Sequence, residues 1–122
     1  MRTTLERAVD AGDVRAVEAE LSDGADVDSL DAHGQTALML SAHKGHVALV
    51  ECLVSRGANL NVRAKFGLSA LMLAIVAGHE AVARMLVNAG ADLAIRGTGA
   101  PGFAGKSAYD LAEEQGMTAL CG

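Results

Sequence analysis

At 122 residues with 51% apolar content, the chain is expected to form one domain with a continuous core. The formal net charge of −5 argues against nucleic acid or an anionic membrane as a partner, because binding to phosphate groups requires a positive surface. Two cysteines give no disulfide framework, which favours a reducing, cytoplasmic location, and no apolar run approaches the roughly 18 residues that span a bilayer.

The chain opens with a predicted helix–turn–helix unit, residues 1–30. Its helices are expected at Thr4–Ala11 and Val14–Ser22, separated by Gly12. Glycine can take the left-handed conformation that ends a helix without steric strain. The first residues also lack the apolar run of a secretory signal and instead read as the start of a helix.

The stretch 31–96 consists of two units that match position by position. Gly34, Gly45 and Gly57 of the first unit, residues 31–63, recur 33 residues later as Gly67, Gly78 and Gly90 of the second, residues 64–96. Each unit is predicted to hold a leading helix, capped by Thr36 or Ser69, and a second helix with an apolar stripe. A fixed period of this size indicates one supersecondary unit stacked on copies of itself.

The second helices carry the residues that are expected to hold the stack together. Leu53 and Leu86 occupy the same place in the two full units, and Glu20 takes that place in residues 1–30. Helices of eight to ten residues are marginal in isolation, so their stability must come from packing against neighbouring units. A polar residue such as Glu20 suits a terminal unit, whose outer face has no neighbour to bury it.

The last unit, residues 97–122, departs from the period. Gly105 falls 38 residues after Gly67 instead of 33, which indicates a five-residue insertion. Only residues 117–122 remain for the second helix of this unit. Apolar surface is therefore expected to stay partly open at Leu86, Leu111 and Leu120, which favours either a monomer with a frayed end or weak self-association through the C-terminal end.

Three short motifs recur at the same period: Gly-x-Thr/Ser-x-Leu at 34–38 and 67–71, Gly-His at 45–46 and 78–79, and Gly-Ala-Asp/Asn-Leu at 57–60 and 90–93. In this pattern the chain resembles the ankyrin repeat family. The resemblance implies an all-α solenoid of stacked helix–turn–helix units with protruding β-turn or hairpin loops. It also implies an adaptor, scaffold or inhibitory subunit that binds an unidentified protein partner through its concave face and turn tips.

In that family, contacts come mostly from turn tips and from exposed places near the ends of the leading helices. Carried onto this sequence, the candidate partner-binding residues are His33, Gln35, His43, Lys44, Lys65, Phe66, Leu68, Val76, Phe103 and Lys106. Phe66, Leu68 and Phe103 are expected to anchor the partner, with the basic residues and histidines setting orientation from the rim. Alternatively, both phenylalanines fold inward onto neighbouring turns.

A small metal-binding or hydrolytic protein that uses His33 and His43 is the alternative from another functional class. His43 and His46 also have a spacing that could hold a metal, but no cysteine or carboxylate partner stands nearby. The resemblance gives His46 and His79 a structural role in the mid-unit turns, and no histidine has an evident nucleophile beside it. The sequence therefore predicts a protein that is not an enzyme and that needs no metal or cofactor.

The two cysteines, Cys52 and Cys121, are expected to remain free. Cys52 falls among apolar residues of a second helix, which predicts an inert core thiol. Cys121 lies two units further on, roughly 16–20 Å away if helix layers are spaced by about 8–10 Å. That separation is beyond the reach of a disulfide bond.

Overall fold

The structure, a computed structural model, describes residues 4–31, 34–63, 67–97, 105–114 and 116. Within these ranges the secondary structure is helical, apart from one isolated bridge between Arg96 and Ser107. The helices are α1 (Thr4–Ala11), α2 (Val14–Ser22), α3 (Ala37–Lys44), α4 (Val47–Ser55), α5 (Ala70–Val76), α6 (Glu80–Asn88) and α7 (Ala108–Glu114). The predicted all-α class is confirmed, and α1 and α2 have the bounds that the sequence predicts.

The helices form two layers. The leading helices pack in the order α1, α3, α5, α7, and the second helices pack in the order α2, α4, α6. Within a unit the two helices also pack against each other, as α1 does with α2, α3 with α4 and α5 with α6. Because each helix has only seven to nine residues, this packing between neighbours supplies the stability that the isolated helices lack.

Hydroxyl caps begin the leading helices of the two full units. The Thr36 hydroxyl accepts the Met39 N–H at 3.2 Å, and the Ser69 hydroxyl accepts the Met72 N–H at 3.4 Å. These bonds satisfy donors that the first turn of a helix leaves without an intrahelical partner. The predicted caps are confirmed, although α5 ends one residue before its expected limit, with Ala77 as its C-terminal cap.

One apolar core runs through the described units. Leu53 and Leu86 are both 0% exposed, as the repeat register predicts, whereas Glu20 is half-buried at the equivalent place. Leu111 is only 5% exposed because α7 packs against α5. The expectation of open apolar surface at Leu86 and Leu111 is therefore wrong, and Leu120 lies outside the described residues.

Backbone hydrogen bonds close the base of the inserted segment. The Gly97 N–H donates to the Lys106 carbonyl at 2.8 Å, and the Gly105 N–H donates to the Gly97 carbonyl at 2.9 Å. Arg96 then reaches the Gly105 carbonyl, as Arg63 reaches that of Gly67. Gly105 thus takes the place of Gly67, in spite of the extra residues between it and Arg96.

Short polar side chains link the turns of successive units. Asp28 Oδ1 accepts the Asn59 N–H at 2.8 Å, and Asn61 Oδ1 accepts the Asp92 N–H at 2.8 Å, each across 31 residues. Within each turn, the side chain two positions earlier accepts a backbone N–H: Asp26 accepts from Asp28 at 2.9 Å, and Asn59 accepts from Asn61 at 2.9 Å. Asx turns of this kind fix the local backbone, so the links between units join preformed turns.

In the mid-unit turns, the histidine of one unit packs against the glycine of the preceding unit. A β-carbon on Gly45 would lie 2.7 Å from Nδ1 of His79, and one on Gly12 would lie 3.2 Å from Cε1 of His46. His79 Nε2 is 2.9 Å from the His43 carbonyl, which can only accept, so Nε2 carries the proton. His79 therefore connects the second helix of its own unit to the leading helix of the preceding unit.

We expect Leu53→Ala and Leu86→Ala to lower the free energy of unfolding by roughly 2–5 kcal/mol each, because each removes a fully buried side chain and leaves a cavity. Urea unfolding followed by circular dichroism measures the change. Val47→Ala is the control: Val47 lies on the same helix as Leu53 but is 39% exposed, so its loss should stay within about 0.5 kcal/mol. An equal loss of unfolding free energy in all three variants would contradict the burial of Leu53 and Leu86.

We expect Gly45→Ala to destabilise the protein more than Gly57→Ala. Both glycines have a positive φ, 75° and 83°, which costs about 1–2 kcal/mol for an L side chain. Only the β-carbon at residue 45 meets a neighbour, His79. The excess loss should disappear when both substitutions are compared in a His79→Ala background; an excess that survives there would show that the contact is not its cause.

Candidate functional site

The leading-helix face is the side of α1, α3, α5 and α7 that the second helices leave open to solvent. In each full unit three places reach solvent, namely Leu40, His43 and Lys44 on α3, and the equivalent residues Leu73 and Val76 on α5 with Ala77 at its C-terminal cap. Their spacing of three and four residues puts them on one side of each helix. The remaining α3 residues Ala37, Leu38, Met39, Ser41 and Ala42 are buried.

The centre of the leading-helix face is apolar. Leu40, Leu73 and Val76 are half-buried, and Ala77 is exposed. The whole of α5, from Ala70 to Val76, carries no polar side chain. No side chain in this centre can form a hydrogen bond. Contact of this apolar surface with water is therefore unfavourable in free energy, and binding an apolar partner surface would remove that contact.

An ion pair borders the apolar centre on its N-terminal side. Lys44 Nζ lies 3.0 Å from Asp10 Oδ1, and the two side chains are 39% and 20% exposed. The pair joins the ends of α3 and α1, so it also bridges two units. Surface pairs of this kind contribute little to stability, but they fix where charge is presented.

A second ion pair borders the C-terminal side. Lys106 Nζ lies 2.7 Å from Glu114 Oε1, and Glu114 stands at the place that Val76 holds in the preceding unit. Glu113 is exposed, although the residues at its equivalent places, Ala42 and Ile75, are buried. Glu113 therefore marks the end of the described stack and does not belong to the leading-helix face.

Asp110 holds the first turn of α7 in place. Its Oδ2 accepts the Ser107 N–H at 2.9 Å and the Ser107 hydroxyl at 3.2 Å, while its own N–H donates to Ser107 Oγ at 3.3 Å. The pKa of Asp110 is lowered mainly by the bond from the Ser107 N–H, against a smaller opposing effect of desolvation. The Ser107 hydroxyl and the Arg96 guanidinium, 3.7 Å away, lower the pKa further.

The structure places the six described candidate partner-binding residues in three groups. His43, Lys44 and Val76 lie on the leading-helix face. Gln35 and Lys106 are half-buried at the approach to α3 and α7, and the Gln35 backbone is bonded to Asp31 in both directions. The remaining described residue, Leu68, is buried, while His33, Lys65, Phe66 and Phe103 lie outside the described residues.

Leu68 was expected to anchor a partner, but it is 5% exposed and belongs to the core. It precedes Ser69, the N-cap of α5, where an apolar side chain packs back onto the first helical turn. Leu40 and Leu73 are the residues that sequence reasoning missed. Both stand three residues before a predicted surface residue, and this helical spacing is the signal that points to them.

The described side chains hold no candidate metal cluster and no activated Cys52 thiol. Within the described ranges, no three His, Cys, Asp or Glu side chains come together as a metal site would require. The Cys52 thiol is buried and free, as predicted, and it donates to Glu18 Oε1 at 3.7 Å. Burial, followed by the Glu18 charge, raises the pKa of this thiol, so it stays protonated and a poor nucleophile. Cys121 lies outside the described residues.

We expect Asp110→Ala to lower the stability of the protein above about pH 4, because it removes the carboxylate that accepts the Ser107 N–H and hydroxyl at the start of α7. A folded-state pKa below the ordinary value of about 3.9 means that the stabilisation is complete above that value and is lost as the pH falls through the lower, folded-state pKa. The difference in urea midpoint between wild type and variant should narrow from pH 6 to pH 3. Glu113→Ala on the same helix is the control, and a difference independent of pH would contradict the role of the charge.

Comparison with known proteins agrees with this architecture. A family model described as ankyrin repeats, in three copies, matches residues 5–96. No curated protein matches the chain. Ankyrin repeats in general are protein–protein interaction modules and typically have no enzymatic activity. Over the residues that the structure describes, no helix is long and apolar enough to cross a membrane. The chain belongs to the ankyrin repeat family.

Proposed function

We propose that this chain is a non-catalytic adaptor, scaffold or inhibitory subunit that binds a protein partner through the leading-helix face and the neighbouring turn tips. The observation that carries the proposal is the apolar centre of Leu40, Leu73, Val76 and Ala77 between two ion pairs. An apolar centre with a polar rim is the usual anatomy of a protein interface. The rim pairs would orient the partner, while burial of the centre supplies most of the affinity.

The hydrogen bonds that hold the leading helices in place support the same proposal. Thr36 and Ser69 hold the starts of α3 and α5, and His79 ties α3 to the following unit. A surface held in this way loses little conformational entropy when a partner docks. Phe66 and Phe103 remain proposed anchors on the evidence of the sequence alone, since aromatic residues in polar turns are typical of interface anchors.

We also propose that the chain divides into four units, residues 1–30, 31–63, 64–96 and 97–122. Recurrent hydrogen bonds favour this division, because equivalent residues make equivalent bonds in successive units, as Asp28 and Asn61 do. A cytoplasmic location is part of the proposal, on the ground that Cys52 is a free thiol and the sequence has no disulfide framework.

The test compares two alanine-to-arginine variants, Ala77→Arg and Ala81→Arg. Both alanines are exposed, but Ala77 lies in the leading-helix face and Ala81 lies on α6 in the other layer. A long charged side chain at residue 77 should block docking and weaken binding by a factor of ten or more, equivalent to about 1.4 kcal/mol. Partner capture from the native source, quantified by mass spectrometry, should lose the same protein with Ala77→Arg and keep it with Ala81→Arg.

Matched circular dichroism spectra and melting temperatures are the control for folding of both variants. A set of captured proteins that does not differ between wild type and Ala77→Arg would contradict the proposed face. Loss with Ala81→Arg instead would move the binding surface to the other helix layer.

A further inference from the structure

An arginine at the end of each full unit closes the base of the turn that follows it. Arg63 Nε donates to the Gly67 carbonyl at 3.1 Å, and Arg63 Nη2 donates to the Arg96 carbonyl. Arg96, which stands 33 residues later, donates in the same way to the Gly105 carbonyl. The two carbonyls that Arg63 reaches are spaced for a guanidinium group, whose planar fork of N–H donors can bond both at once.

The first unit ends in a leucine at the place of these arginines. Leu30 is 59% exposed, and its side chain has no hydrogen-bond donor. The turn that follows has the same backbone conformation nevertheless, since φ is 73° at Gly34 and 74° at Gly105. The Gly34 N–H donates to the Asp31 carbonyl at 3.1 Å, and the Gly105 N–H makes the equivalent bond at 2.9 Å.

The carbonyls of Gly34 and Arg63 are the equivalents of the two that Arg63 bonds in the next unit. Within the described residues, neither of these carbonyls accepts a hydrogen bond. The Arg63 guanidinium does not reach back to them, because its own bonds direct it to the following turn. The first turn therefore has two acceptors in the arrangement that binds a guanidinium elsewhere in the same chain.

The surroundings of the two carbonyls suit an arginine that comes from another protein. Leu30 offers exposed apolar surface on which an aliphatic stem can lie. Asp31 brings a carboxylate to the base of this turn, whereas its equivalents, Ala64 and Gly97, are uncharged. The formal net charge of −5 also favours the approach of a cationic group.

We propose that the first turn binds an arginine side chain of the partner protein, with the aliphatic stem on Leu30 and the guanidinium N–H groups donating to the carbonyls of Gly34 and Arg63. The inference rests on the proposed function in one respect, namely that the arginine belongs to the same partner. Arginine is preferred to lysine, because an ammonium group lacks the planar fork that reaches both carbonyls.

The first experiment is an NMR titration of the ¹⁵N-labelled chain with three probes: the N-acetyl amides of arginine, lysine and norleucine. We expect saturable shift changes centred on Gly34, Gln35 and Arg63 with the arginine probe, about tenfold weaker binding of lysine, and no effect of norleucine. Absence of saturable shifts, or equal binding of all three probes, overturns the proposal. Ala77→Arg should bind the arginine probe as wild type does, so failure of this site and failure of the leading-helix face are distinguishable.

The second experiment supplies the guanidinium from the chain itself. Because Leu30 is exposed, substitutions there should leave the protein folded. We expect Leu30→Arg to raise the urea midpoint and to lose the shift changes with the arginine probe, since its own side chain occupies the two acceptors. Leu30→Met, which keeps an apolar side chain of similar size, is the matched control and should bind the probe as wild type does. A Leu30→Arg variant that binds the probe as tightly as Leu30→Met does would overturn the assignment of the two carbonyls.

Discussion

Packing between consecutive units is the constraint on which the rest of the structure depends. A helix of seven to nine residues forms too few hydrogen bonds to offset the entropy lost in its first turn. Leu38 and Leu71, both at most 1% exposed, show how the leading helices supply the difference by burying equivalent side chains. Stability therefore accumulates along the stack, and each unit needs its neighbour to be folded.

Polar contacts set the register of that packing. Apolar contacts are not directional, so they would tolerate small sliding of one unit on the next. The bonds that Asp28 accepts from the Asn59 N–H and that Asn61 accepts from the Asp92 N–H each have a single acceptor position. The approach of His79 to Gly45 also leaves no room for a β-carbon. These contacts lie at the turns, where they hold the spacing of the units without placing unpaired polar groups in the core.

The sequence predicts the buried core of this protein better than its surface. Burial repeats with the period, so the bounds of α1 and α2, the caps Thr36 and Ser69, and the burial of Leu53 follow from counting residues. The family resemblance predicts that Leu68 contacts a partner because it lies near the start of a leading helix, whereas the structure buries its side chain. The direction of a side chain just before a helix cap depends on local packing that a period does not encode.

The C-terminal end shows a second limit of the period. Counting residues suggested too little chain to cover Leu111, yet α7 packs directly onto α5 and buries it. Burial at this place needs only the preceding leading helix, which the sequence supplies in full. A polar residue, Glu113, stands instead at a place that is buried in the earlier units, as Glu20 does at the other end.

The candidate surfaces could not be derived from the repeat, because they arise where equivalent residues differ. Residues 10, 43, 76 and 114 share one place on the leading helices, but they are aspartate, histidine, valine and glutamate. Such differences do not disturb the stack, since the stack buries none of these four side chains completely.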